Sequence, residues 1–380
     1  MIFSTQAITR IDFRVIPIIF SLMIVSLLVI AANTYDTGTE GNEAITFFTP
    51  LVRTQIRWFF IGSVVFLFFA GFDYNKLREW TWILYILMIL SLVGLFFTDP
   101  IQRVHRWYKI PFIGSSFQPS EYAKLIVVMA LSWFLERHKS DADSPKTALM
   151  SGLIALIPFI LILKQPDLGT ALVLFPITLV IFYFGGINSW VIRAMSIMGG
   201  MALIAVALIF LEIVPHETLR PYAMKVLKSY QFDRLDPHTH HQKAAVMAIG
   251  IGGITGTGWR KSEFTGGGFL PAPFTDSVFP AFGEEFGFVG CVFLLGLFYS
   301  LIYCSFQVSA VAKDSFGRYL AAGITVYLAM HILINIGMMC GVLPITGVPL
   351  VLVTYGGSSV LSTMTALGIL QSVYSRRFMF

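Results

Sequence analysis

Charge is scarce in this sequence, and that scarcity excludes most classes of protein. Only 12% of the 380 residues are Asp, Glu, Lys or Arg, about half the share of a soluble domain, which leaves too little polar surface to face water on all sides. Cysteine is scarcer still. Cys291, Cys304 and Cys340 all sit in apolar runs, so they read as small packed hydrophobes and not as disulfides or metal ligands. No C-x-x-C or H-E-x-x-H spacing occurs. Neither an internal repeat nor a Pro/Ser-rich linker divides the chain, which argues against transporters built from inverted halves. A formal charge of +5 is too modest to mark a nucleic-acid binder. What is abundant is apolar surface: 56% of residues are hydrophobic and 15% aromatic. Disordered and fibrous classes fail on those numbers, and the solvent for most of the chain must be lipid.

Runs of roughly 20 apolar residues, the length that crosses a bilayer as a helix, occur at about 15–34, 55–72, 79–98, 120–136, 147–163, 168–187, 190–214, 286–307, 317–340 and 357–375. The pattern predicts an all-α polytopic membrane protein with about ten transmembrane helices, a single integral membrane domain over 1–380. The run at 120–136 is short and carries Glu121 and Lys124; a re-entrant segment there would change the parity. With ten spans both termini share a side. Arg10, Arg14, Lys76, Arg78, Arg137, Lys139, Lys146, Arg193, Lys313, Arg318, Arg376 and Arg377 fall on it, so positive-inside counting makes both termini cytoplasmic in a multi-pass protein of the cytoplasmic (inner) membrane. Arg53, Arg103, Arg106, Lys109 and Lys164 lie on the other side, against the rule. An anionic ligand at the outer face would account for them, as would outer-leaflet headgroups. The one long connection, about 215–285, is extracytoplasmic. Its apolar positions (Val246, Met247, Ile249, Ile251, Phe264, Phe269) favour a folded, partly helical and partly membrane-seated loop.

Several polar constellations stand out against this background. Arg106-Trp107 is followed by Gln118-Pro119-Ser120-Glu121-Tyr122-Ala123-Lys124; Pro119 suits a first helical turn, which sets Glu121 and Lys124 three apart on one face. Ionisable groups in a membrane helix are costly and default to function, although a structural ion pair clipping two helices fits as well. Lys164-Gln165-Pro166-Asp167-Leu168-Gly169-Thr170 is a tight outer turn, where Asp167 can cap the following helix, face a site, or do both. The long loop holds Tyr230-Gln231-Phe232-Asp233-Arg234 and a glycine run at 250–258. With no preceding strand and no acidic partner, that run is a weak nucleotide-loop match; close backbone packing or an anion cradle explains it better. Asp276 follows a Pro-containing turn near the mouth of the eighth helix. A partly desolvated carboxylate near Lys or Arg can act as a general base, and an N-cap is the plainer alternative. The uncharged stretch from Asn335 through 341–349 to Thr354-Tyr355-Gly356-Gly357-Ser358-Ser359 reads as re-entrant backbone buried in protein, its last helix start offering amides and Ser358 to a phosphate.

Taken together, these motifs resemble the SEDS family (shape, elongation, division and sporulation), and its rod-shape-determining branch most. Gln-Pro-Ser-Glu-x-x-Lys, Gln-Pro-Asp-Leu-Gly-Thr, Thr-Asp before a Gly-Glu-Glu-x-Gly helix, Asn-Ile-Gly-Met, and Gly-x-Leu-Pro-x-Thr-Gly-x-Pro occur here in family order across nearly the whole chain. The resemblance implies a peptidoglycan glycosyltransferase that polymerises lipid II, with Asp276 as the essential residue and Glu121 and Lys124 in the site. It implies partners too: lipid II and the nascent glycan, a monofunctional class B penicillin-binding protein, and an elongation or division complex. On this reading Asp276 takes the proton of an acceptor hydroxyl, while Lys124, Arg106 and Arg234, or a divalent cation such as Mg or Mn, offset the leaving pyrophosphate. Substrate contacts are expected from Glu121, Lys124, Arg106, Trp107, Asp167, Arg234 and Ser358. A lipid II flippase and a noncatalytic scaffold for the penicillin-binding protein are the competing readings. The sequence departs from the family at the aspartate: the usual Pro-Glu-x-His-Thr-Asp is here Pro271-Ala272-Pro273-Phe274-Thr275-Asp276, so any mechanism that shares a proton with that acid and imidazole fails. Residues 236–242 form a His-rich replacement in which His238, His240 and His241 read as solvated before they read as metal ligands.

Overall fold

Proline and a side-chain cap mark where several long helices begin. The Thr49 hydroxyl accepts from the Val52 amide ahead of the helix Pro50–Gly71, with Pro50 at its first position; Ser144 and Pro145 do the same for the helix Pro145–Lys164. Asp73, Asp167, Asn188 and Asp314 cap the helices that start at Tyr74, Leu168, Ser189 and Ser315, each satisfying amides that a helix start leaves open. In the computed structural model, which describes residues 8–34, 47–99, 105–110, 115–224 and 232–378, the elements are α1 (Val15–Ala32), α2 (Pro50–Gly71), α3 (Tyr74–Gly94), β1 (Tyr108–Ile110), β2 (Ser115–Phe117), α4 (Pro119–Arg137), α5 (Pro145–Lys164), α6 (Leu168–Gly185), α7 (Ser189–Phe210), α8 (His216–Ala223), α9 (His240–Gly252), α10 (Glu263–Gly266), α11 (Val278–Val311), α12 (Ser315–Met339) and α13 (Gly357–Ser375). Arg103, Tyr230 and Gln231, named above, lie outside the described residues.

Among the described residues, eight helices are long and apolar enough to cross a membrane: α1, α2, α3 with its extension to Phe97, α5, α6, α7, α11 and α12. The sequence pattern offers two more, and both exist as helices of nineteen residues, α4 and α13. They fall short on composition because they sit inside the bundle. α13 packs along α2, and α4 packs among α3, α6 and α12, so both meet protein where peripheral helices meet lipid. A helix in that position can carry Ser120, Glu121 and Lys124, or Ser362, Gln371 and Ser372, all buried, provided each polar group finds a partner. α7 is the opposite case, with almost all of its residues outward.

The fold differs from an all-helical chain in one detail. β1 and β2 form an antiparallel pair with Tyr108 opposite Phe117. Unpaired backbone is costly where helix ends meet the bilayer, and these short strands pair with each other. Tyr108 fastens the hairpin to the end of α3 by donating to the Ser91 carbonyl at 2.7 Å.

The glycine run in the long loop proves to be a packing device. α11 breaks at Gly287, whose φ of 64° and ψ of −166° no L-residue adopts comfortably. The amides freed by the break are taken by the loop: Phe288 N donates to Gly253 O at 2.9 Å and Val289 N to Ile254 O at 3.1 Å. In return Thr257 N donates to Glu284 O at 2.9 Å and Gly258 N to Glu285 O at 3.0 Å. Backbones approach so closely that a Cβ on Gly256, at φ +82°, would lie 2.1 Å from Glu285 O. Gly256→Ala should therefore lose about 1–3 kcal/mol from its backbone conformation plus the cost of the clash, whereas Gly250→Ala, with nothing within 4 Å, should be tolerated. Thermal unfolding of the two variants in detergent checks this.

The folded loop leaves Val246, Met247, Ile251 and Phe269 exposed, an apolar face suited to the membrane boundary. It also clasps α1, with the Trp259 indole donating to Leu28 O at 3.1 Å and Arg260 to Ala31 O at 3.0 Å. At the opposite end of the bundle, side-chain contacts tie the helices: Arg78 of α3 pairs with Glu136 of α4 at 2.9 Å, and Arg14, just ahead of α1, donates to Gln307 Oε1 of α11 at 2.8 Å. Every candidate site residue belongs to the loop end.

Candidate active site

Asp276 lies in the turn that leads into α11, and two parts of the chain, α12 and the segment just before α13, hold that turn in place. Asn335 of α12 donates its Nδ2 to the Asp276 carbonyl at 3.2 Å and to Val348 O at 2.8 Å. Thr354 donates its hydroxyl to Thr275 O at 3.1 Å, and Tyr355 N donates to Phe274 O at 2.9 Å. The carboxylate is left out of this bracing. The helix N-cap is Ser277, with no side-chain cap, so Asp276 is not the plain N-cap that its position allowed. A Cβ on Gly347 would come within 3.7 Å of Asp276 Oδ2, which puts the uncharged 341–349 segment against the acid.

The charges around Asp276 come from three separate parts of the chain. Arg106 lies between α3 and β1, Arg234 in the turn after α8, and His241 in the first turn of α9. Arg234 is positioned by its neighbour Phe232, whose ring stacks on His216 with centroids 4.0 Å apart and whose carbonyl meets His216 Nε2 at 3.0 Å. Arg106 is fixed by donating Nε to Gln165 O at 3.1 Å and Nη2 to Pro166 O. Burial pushes the Asp276 carboxyl above its ordinary value, and His241, Arg234 and Arg106 pull against that rise. For His241, burial lowers the imidazole against the opposing pull of Asp276, while His240 adds to the lowering.

Behind Arg106 lies a second layer. The Trp107 indole donates to Gln118 Oε1 at 3.1 Å, and the Gln118 backbone N–H donates to Ser358 Oγ at 3.4 Å. Asp167 caps α6 through the Thr170 amide at 3.3 Å and accepts from Ser120 at 2.9 Å and Gln118 at 3.1 Å. It is 4% exposed, so it joins α6 to α4 and does not open to solvent.

Deeper still, Glu121 and Lys124 form the ion pair that their spacing allowed, at 2.8 Å. Lys124 is 1% exposed, and its ammonium also meets His331 Nε2 at 2.7 Å. His331 Nδ1 faces Pro349 O at 3.1 Å; since a carbonyl only accepts, Nδ1 carries the hydrogen and Nε2 accepts from Lys124. This closed triad links α4, α12 and the re-entrant segment, which is the helix-clipping arrangement. The structure thus groups Arg106, Arg234 and Asp276, supports them with Trp107, Asp167 and Ser358, and seals Glu121 and Lys124 beneath. His331 was not singled out from sequence. Its only signal is a spacing of four from Asn335, which puts both on one face of α12.

The histidines do not gather. His238 approaches Glu212 at 3.4 Å, His240 is exposed, and His241 Nε2 lies 2.7 Å from Ser277 Oγ. Among the described residues no group of three or more His, Cys, Asp or Glu is placed to hold a metal ion. One carboxylate flanked by two guanidinium groups suits an anion and is a poor resident cation site.

Comparison with known proteins supplies the family. Residues 13–377 match the family described as cell cycle protein, which takes in FtsW, RodA and SpoVE. The chain belongs to the SEDS family. Among its SEDS relatives are the peptidoglycan glycosyltransferase MrdB of Escherichia coli K12, 31% identical over 97% of this chain and 95% of MrdB, and a probable peptidoglycan glycosyltransferase FtsW of Wigglesworthia glossinidia brevipalpis, 28% identical over 93% and 90%. The SEDS fold is also that of a chain solved in work on the structural coordination of polymerization and crosslinking by a peptidoglycan synthase complex. That likeness has a TM-score of 0.74 and 22% identity, over 97% of this chain and 99% of the other.

Proposed function

We propose that this chain is a peptidoglycan glycosyltransferase that polymerises lipid II at the outer face of the cytoplasmic membrane, and that it belongs to the rod-shape, RodA-like branch of the family. The observation that carries the chemistry is the half-buried Asp276 carboxylate with Arg106 and Arg234 near it. A base and two cations at one membrane boundary match a reaction in which a hydroxyl loses its proton as a pyrophosphate departs.

In the proposed reaction the growing glycan is the donor, bound through its undecaprenyl pyrophosphate. The 4-hydroxyl of an incoming lipid II attacks the anomeric carbon of the donor sugar. Asp276 takes the hydroxyl proton, the new β-1,4 bond forms with inversion, and undecaprenyl pyrophosphate leaves with the electron pair of the broken bond. Arg106 and Arg234 hold its charge. A divalent cation carried by the pyrophosphate would add to that neutralisation. Glu121 and Lys124 act below the site by fixing α4 against α12. The carboxylate must be ionised to accept a proton, and burial raises its pKa, so activity should fall with pH at values above the ordinary carboxylate range. Initial polymerisation rates measured across pH check the sign.

The site-side placement supports cytoplasmic termini, since lipid II is polymerised outside and the basic termini lie at the opposite end. A transpeptidase of the class B penicillin-binding type is the proposed partner in crosslinking. The deciding experiment supplies purified protein with labelled lipid II and scores glycan polymer. Polymer with released undecaprenyl pyrophosphate supports the reading; vesicle transport of lipid II without polymer would replace it with a flippase, and neither activity would leave a scaffold.

A further inference from the structure

The histidine at the start of α9 has a role that its place in a His-rich loop did not suggest. Gln242, next to it, donates to Met338 O at 3.2 Å and to Leu343 O at 3.0 Å, which pins the first turn of α9 to the end of α12. Ala244, Ala245 and Ala248 are buried on the same helix. His241 is thereby held over the Asp276 turn, half-buried, with its Nε2 2.7 Å from the hydroxyl of Ser277, the residue after the acid. It contrasts with His238 and His240, both of which are exposed.

We propose that His241 is a positioning residue for Asp276, fixing through Ser277 the turn that presents the half-buried carboxylate to the acceptor hydroxyl. This inference rests on the glycosyltransferase reading above. Phe274 occupies the motif position at which an imidazole would stand two residues before the aspartate, and here the imidazole arrives from α9 instead. The charged and titratable groups facing the pair are His240 on α9, Arg234 in the turn after α8 and Arg106 before β1; α12 contributes the neutral Asn335. Both guanidinium groups also favour the carboxylate, but a guanidinium stays protonated across the working pH range, so His241 is the member of the set that can itself exchange a proton with its surroundings. Neighbouring groups that interact in this way titrate as a pair. The sign follows: a partner that favours the ionised acid lowers its pKa, and removing the partner raises it.

The test compares wild type, His241→Gln, His241→Ala and His241→Lys in lipid II polymerisation across pH, with Asp276→Asn as the blank and thermal unfolding as the folding control. Glutamine can still bond Ser277 but cannot carry charge. His241→Gln should move the acid limb of kcat upward by about 0.5–1 pH unit, a rate loss of about 3–10-fold on that limb, with KM within about twofold and rates converging with wild type at high pH. His241→Lys should move the limb back down relative to His241→Ala, and that comparison reads the same effect if the glutamine variant does not fold. Profiles that keep the wild-type shape, whether scaled down or unchanged, would overturn the inference. If wild type itself makes no polymer, it is the glycosyltransferase reading that falls; if wild type polymerises and the histidine variants keep its profile, only the role of His241 does.

Discussion

Asp276→Asn should abolish glycan polymerisation while leaving the protein folded. The amide is nearly isosteric with the carboxylate, and the turn is held by the Asp276 carbonyl through Asn335 and by Thr354 and Tyr355, contacts that the substitution leaves in place. A half-buried charge is also removed, which relieves part of a desolvation cost, so the unfolding temperature should not fall. The loss is confined to chemistry. General-base catalysis contributes roughly 10²–10⁴-fold, and among the described residues the charged groups that act on Asp276 are His241, Arg234 and Arg106, none of them a carboxylate. Asp276→Glu, which returns the base on a longer arm, should recover part of the rate. The measurement is polymer formed from labelled lipid II by each purified variant, and an asparagine variant that polymerises at the wild-type rate would remove Asp276 from the mechanism.

What the sequence made legible follows from which interactions are local. Apolar runs report lipid or core contact directly, so helix positions could be read almost throughout, while the run that became α4 also fitted a re-entrant segment and the central placing of α4 and α13 comes from their packing. Spacing of three predicted the Glu121–Lys124 pair because helix geometry alone brings those side chains together. Contacts between remote segments leave no such mark. Nothing in the string says that Arg106, Arg234, His241 and Asp276 meet, since each is delivered by a different connection. Nor does it say that Lys124 would bond His331, 207 positions away. The position of Asp276 also fits a helix cap, and in the fold its carboxylate is free of capping duty. The glycine run was ambiguous because glycine signals only that something comes close, and the thing that comes close is the broken turn at Gly287.

The buried triad yields the second large effect. Lys124→Ala would leave the Glu121 carboxylate, 3% exposed, with the Ser362 hydroxyl at 3.5 Å and no counter-ion at bonding distance. Removing one partner from a buried pair costs about 3–5 kcal/mol because the remaining charge is uncompensated. His331 would lose its donor at Nε2 as well, loosening the link to Pro349 and the re-entrant segment that lies against Asp276. Activity should therefore fall together with stability. Glu121→Gln combined with Lys124→Met removes both charges while keeping most of the volume, and a pair replaced in this way is often neutral, so the double variant should recover most of the stability lost by Lys124→Ala. Thermal unfolding of the single and double variants, compared as a cycle, separates a structural pair from a substrate-binding one. If the triad serves only to fix α4 against α12, polymerisation by the refitted double variant returns along with its folding; if Lys124 carries the pyrophosphate, stability returns and polymerisation does not.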